Sequence, residues 1–138
     1  MLEQPNLRAA IAVALGAIAG ALSRALLAAW AIRTGPGDFP AGTLLANLIG
    51  CFLMGLITEL AVHWLTNRPE LKLLLTTGFL GSLTTFSSYE LDVTQLVDQP
   101  GFQSDLLYWL GSPVLGLLLL FLGMAIGNNL APSSTRSE

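Results

Sequence analysis

Four long apolar runs, separated by short polar breaks, account for nearly the whole chain. A helix needs about 20 predominantly apolar residues to cross the hydrocarbon core of a bilayer. The first run spans about residues 7–32 and, past Arg8 at its start, is interrupted by Ser23 and Arg24. The helix breakers between Thr34 and Pro40 close it. The second covers about 42–65 and stops at Asn67-Arg68-Pro69-Glu70, the third about 71–97, and the fourth about 106–128. The pattern predicts an all-α membrane protein: a single four-helix transmembrane domain over residues 1–130, followed by a disordered polar tail at 131–138.

The third run departs from the others. From Thr76 to Glu90 it is dense in Thr, Ser and Gly, residues that weaken a helix in mid-membrane. Irregular backbone at that depth is tolerated only where it is buried in protein or lines a cavity. Such a break exposes the carbonyls of one half-helix and the N–H groups of the next; carbonyls suit a hard cation and helix N-termini suit an anion. The pattern therefore predicts two half-helices around Gly81 to Thr85. A Ser/Thr-rich packing helix is the competing reading, because small residues let membrane helices approach closely.

Isolated polar groups in the other runs narrow the candidates. Asn47 stands alone in the second run, where an unpaired amide is costly. It either ties helices together or offers N–H donors to a passing anion. Gly16 and Gly20 have the spacing of a close helix contact. Arg24, late in the first run, is assigned a structural role at helix ends near the break, with snorkelling to the interface as the alternative. Trp30, Trp64 and Trp109 lie near run ends, as interfacial anchors do.

Composition agrees and excludes several classes. Hydrophobic residues make up 53% of the chain and charged ones only 11%, with a mean hydropathy of +0.66; soluble domains carry about 25% charged residues. The net charge of −3 and the lack of a basic run argue against nucleic acid. The single cysteine, Cys51, excludes an internal disulfide and reads as a packing residue. The first run is too long for a signal-peptide core. Glu59 and His63, four apart, read as an exposed ion pair rather than a metal pair, and no constellation of catalytic residues argues for an enzyme. With the N-terminus inside, Arg8, Arg68, Lys72 and Arg136 fall on the cytoplasmic side against Arg33 opposite, a lean toward that orientation.

Three segments carry a family resemblance. Gly20-Ala21-Leu22-Ser23-Arg24, the stretch from Gly42 to Gly50, and above all Gly78-Phe79-Leu80-Gly81-Ser82-Leu83-Thr84-Thr85-Phe86-Ser87 resemble the CrcB/Fluc fluoride channels. The fourth run matches more loosely, through Tyr108, Ser112 and Gly116. The resemblance implies an antiparallel, dual-topology homodimer in the cell inner membrane, with two fluoride pathways along its interface. It implies passive, fluoride-selective export that lowers cytoplasmic fluoride, and a structural sodium ion held at the dimer centre by the backbone carbonyls of Gly81 and Thr84. Carried over residue by residue, Asn47 becomes the pore amide, Phe86 presents its positive ring edge to the anion, and Thr85, Ser87, Tyr89 and Ser112 join the pathway.

Two departures qualify the match. The family string usually continues with a second phenylalanine, where this chain has Tyr89, and with a serine, where it has Glu90; Asp92 takes the place of the family's acidic residue. The Lys/Arg lean also sits awkwardly with dual insertion and leaves room for a paired homologue of opposite orientation. The alternative function is a proton-coupled small multidrug exporter, which needs a carboxylate in the first span; none occurs between Leu7 and Ile32. A non-transporting assembly subunit would account for the small residues but not for the central Thr/Ser/Gly break.

Overall fold

The structure, a computed structural model, describes residues 5–35, 39–97 and 102–131. Helix α1 is Pro5–Thr34 and α2 is Ala41–Trp64. The third run folds in pieces: α3, Pro69–Leu73, with proline in the first turn, where its missing N–H does no harm; a π-helical stretch, Leu74–Leu80; α4, Gly81–Leu83; and α5, Phe86–Val97. Helix α6 is Phe102–Leu130. Every regular element among the described residues is helical. Three helices, α1, α2 and α6, are long and apolar enough to cross a membrane.

Small residues decide how these helices meet. The most extensive packing is between α2 and α6, where Gly55 and Gly123 let the two backbones touch. A Cβ on Gly123 would run into the Phe52 carbonyl and come within 2.9 Å of the Leu56 amide nitrogen; one on Gly55 would run into the Leu120 carbonyl. Helix α1 packs against residues 69–83. There Gly16 and Gly20 lie on the backbone between Leu74 and Leu83, and Gly78 faces Gly16, so the spacing read as a close helix contact is one. Ala46, Leu80 and Leu83 form the centre of the core, with Leu27, Met54 and Phe79 against it.

The remaining apolar surface faces outward. Leu26, Ile32, Leu107 and Leu118 are exposed, and Leu80 is the one large side chain fully buried among the described residues. A bundle that leaves its leucines outside has lipid as its solvent. All three tryptophans are exposed too, as belt residues are. Glu59 and His63 are half-buried rather than exposed, and Glu59 packs over Gly127.

The helices overrun the predicted spans by a few residues at most ends, and the break falls inside the predicted stretch, Gly81 to Thr85, at its C-terminal end. Gly81 stays helical, with φ −64° and ψ −25°. The chain leaves the helix at Thr84, where ψ swings to 149°. The predicted tail from residue 132, with Arg136, and the turn residues Pro36, Gly37 and Asp38 lie outside the described residues.

Candidate functional site

The break is built from hydrogen bonds that reach across the bundle. Helical order persists up to Thr84, whose N–H and hydroxyl both donate to the Leu80 carbonyl, each at 3.0 Å. Thr85 is then held by the Asn47 side chain as by a neighbouring peptide group. The Thr85 N–H donates to Asn47 Oδ1 at 2.7 Å, and Asn47 Nδ2 donates to the Thr85 carbonyl at 2.9 Å. Downstream, Thr85 Oγ1 accepts the Ser88 N–H at 3.2 Å and so caps α5 at its N-terminus. The hydroxyls of Ser87 and Ser88 lie 3.2 and 3.1 Å from the same oxygen.

These bonds redirect two helical donors. In an unbroken helix the Thr85 N–H would bond the Gly81 carbonyl and the Ser88 N–H would bond the Thr84 carbonyl. Here the first goes to Asn47 and the second to Thr85 Oγ1. The carbonyls of Gly81 and Thr84 thus lose their helical partners, and Gly81 is exposed. Oxygen donors of this kind suit a hard monovalent cation. No cluster of three His, Cys, Asp or Glu side chains able to hold a metal occurs among the described residues.

An open cavity of about 570 Å³ lies beside the break, walled by Asn47, Gly81, Thr84, Thr85, Phe86, Tyr89 and Ser112, with Cys51, Pro113, Gly116, Leu117 and Leu120 completing it. Among the described residues no charged side chain is in its wall. Two donors face it unused. Asn47 has a second Nδ2–H with no partner among the described residues. Ser112 is buried, yet its hydroxyl bonds no described group; since no fully buried side-chain polar atom lacks a partner, that oxygen reaches the open space. The Phe86 ring, 72% exposed, and the buried Tyr89 ring sit 5.6 Å apart, tilted at 41°. Glu90 is exposed and outside the wall.

Tyr89 connects this cavity to a second one. Its ring lies 5.6 Å from that of Tyr108, which meets Phe39 edge-on at 5.7 Å. The Tyr108 hydroxyl donates to Asp92 Oδ2 at 3.1 Å. Asp92 and Phe39 line a cavity of about 440 Å³ with Gln95 and the start of α2. The Tyr89 hydroxyl donates to the Trp109 carbonyl at 2.6 Å, so it neither narrows the first cavity nor offers it a donor.

Of the residues singled out from the sequence, Asn47, Gly81, Thr84, Thr85, Phe86, Tyr89 and Ser112 come together in one wall. Ser87 does not: it is exposed, beside Thr85 Oγ1. Arg24 is half-buried on α1, and among the described residues it bonds neither the carbonyls of the break nor any acidic group. Sequence reasoning missed Ser88, although a threonine three residues ahead of it is an N-cap signature. Cys51, read as a packing residue, does pack its thiol at Gly116, and its place in the cavity wall is what the sequence did not show.

Bilayer-length apolar helices around a broken one, with an uncharged, donor-lined cavity at the break, define a multi-pass membrane protein. Over residues 11–124 the sequence matches the family described as CrcB-like protein, Camphor Resistance (CrcB), and the chain belongs to that family. It is 50% identical over 123 residues to the "Fluoride-specific ion channel FluC" of Synechococcus sp. (strain JA-2-3B'a(2-13)), covering 88% of this chain and 94% of that protein. The protein of the same name from Trichormus variabilis is 44% identical over 128 residues, 92% of this chain and 93% of its own length. "Fluoride-specific ion channel FluC 1" of Staphylococcus aureus (strain bovine RF122 / ET3-1) is 44% identical over 117 residues, 85% and 94% of the two chains.

Proposed function

We propose that this chain is a fluoride-selective ion channel that exports fluoride passively across the cell inner membrane and lowers its cytoplasmic concentration. The observation that carries the reading is the cavity at the break, which presents an amide N–H, a hydroxyl and two aromatic rings with no carboxylate among them. Fluoride is small and strongly hydrated, so a pathway must replace its water with donors. Each donor must also be weak enough to release the ion. The names of the relatives support the same ion.

The working unit in this reading is an antiparallel homodimer, with residues 69–97 of each copy as a fourth, broken span. An open cavity and a Phe86 ring 72% exposed in mid-span support it, because one subunit leaves that wall unfinished. A structural sodium ion fits the carbonyls of Gly81 and Thr84, whose helical donors are diverted to Asn47 and Thr85 Oγ1. Bound there, the cation would neutralise oxygen dipoles at the subunit contact. A paired homologue in the opposite orientation is the alternative partner, and reporter fusions at each terminus separate the two. A proton-coupled exporter is disfavoured: α1 has no acidic residue between Leu7 and Ile32.

The test is fluoride efflux from proteoliposomes, read with a fluoride electrode. Wild-type protein empties the vesicles and rescues a fluoride-sensitive bacterium, whereas Phe86→Ile, which replaces the ring edge with a branched alkyl group, abolishes both. Absence of wild-type flux overturns the channel reading.

A further inference from the structure

Helix α6 contains a proline whose cost is met from another helix. Pro113 lies inside α6 and has no N–H, so the helical bond that the Trp109 carbonyl would accept from position 113 cannot form. The freed carbonyl must find its donor elsewhere. The hydroxyl of Tyr89, on α5, donates to that same carbonyl at 2.6 Å. Tyr89 is only 5% exposed, and its ring sits 5.6 Å from both the Phe86 and the Tyr108 rings. The bond therefore joins three things: the proline turn of α6, the neighbouring Ser112, and the aromatic row beside the cavity.

We propose that Tyr89 is a positioning residue, its hydroxyl standing in for the backbone donor that Pro113 lacks and thereby fixing Ser112 and the Phe86 ring on opposite sides of one ion path. Without the hydroxyl the Trp109 oxygen is left unpaired near that path. It would repel an anion or draw in water, and the Tyr89 ring would lose its tether. A benzyl side chain suffices at position 89 only if position 113 carries its own N–H. Tyr and Pro at these two positions therefore act as a pair. The flux arm of this inference rests on the channel reading; the stability arm does not.

A double-mutant cycle tests it on full-length reconstituted protein. Tyr89→Phe alone is expected to cut fluoride flux per incorporated channel about tenfold, the scale of losing one partner of a buried hydrogen bond, and to lower the thermal midpoint in detergent. In the Pro113→Ala background, where an N–H returns to the helix, the same change is expected to move flux by less than about twofold. An equal loss in both backgrounds, or none in either, overturns the proposal. A lower midpoint with unchanged flux per folded channel also overturns it, because Tyr89 would then be merely structural. If the wild type carries no fluoride, the channel reading fails by itself. The stability cycle then decides the inference: dependence of the Tyr89→Phe midpoint on residue 113 supports the pairing, and independence refutes it.

Discussion

The α2–α6 seam and the break in the third span use the same kinds of residue to opposite ends. At the seam, glycines at 55, 123 and 127 bring backbone or side chains too close for a Cβ, and both helices stay intact. At the break, Gly81 has space around it, its own subunit offering a Cβ nothing nearer than the Thr76 carbonyl at 3.7 Å, while the backbone opens at two threonines instead. Glycine serves contact in one region. In the other, hydroxyl and amide side chains supply the hydrogen bonds that let a helix stop in mid-membrane. The hydroxyls themselves divide in two: those of Thr76 and Thr84 return to carbonyls four residues back within the helix that precedes the break, whereas that of Thr85 caps a new one.

The largest expected effect is at the seam. Gly123→Leu places a Cβ against the Phe52 carbonyl and within 2.9 Å of the Leu56 nitrogen, both backbone atoms that cannot step aside. Helices α2 and α6 must separate, which exceeds the about 1–3 kcal/mol of ordinary overpacking. No monodisperse protein is expected on size-exclusion chromatography. Recovery of a folded variant would show that the seam is slack and that small residues there are incidental.

A smaller, divided effect is expected at the latch of the break. Asn47→Ala leaves the Thr85 N–H and carbonyl unbonded, at about 1–3 kcal/mol for each buried group. Asn47→Asp keeps the acceptor for the Thr85 N–H but removes the donor to its carbonyl. It also places a carboxylate in an uncharged cavity wall. The aspartate variant is therefore expected to melt above the alanine variant and yet to conduct no fluoride. If the two variants rank the same way in thermal midpoint and in flux, Asn47 is a structural latch alone.

The lengths of α1, α2 and α6 were legible because the apolar runs are long and the breakers between them local. The existence of a break was legible in the density of Thr, Ser and Gly. Its place within Gly81 to Thr85, at the threonines rather than at the glycine, was not, since the partner that stabilises it, Asn47, lies 38 residues away in sequence. Local propensity points to glycine as the weak place, but Gly81 keeps helical angles because no group across the bundle captures its own N–H. The bond from Tyr89 to Trp109 was hidden for the same reason. A proline in an apolar run announces a freed carbonyl four residues earlier, but only the packing of α5 on α6 reveals which side chain reaches it.

The smallest expected effect is the most informative about what lies beyond one subunit. Gly81→Ala asks for a methyl group at φ −64°, ψ −25°, angles natural to alanine, with 3.7 Å to the nearest atom of the same chain. By helix propensity alone the change stabilises by about 0.5–1 kcal/mol. The carbonyl of residue 81 is unaltered, so its capacity to bind a cation is retained. Thermal melting in detergent is accordingly expected to stay level or to rise by at most about 4 °C. A fall in the midpoint has no source within the subunit, where the space is open. It would mean that a second chain approaches Gly81 as closely as α6 approaches Gly55, and the break would then share the logic of the seam.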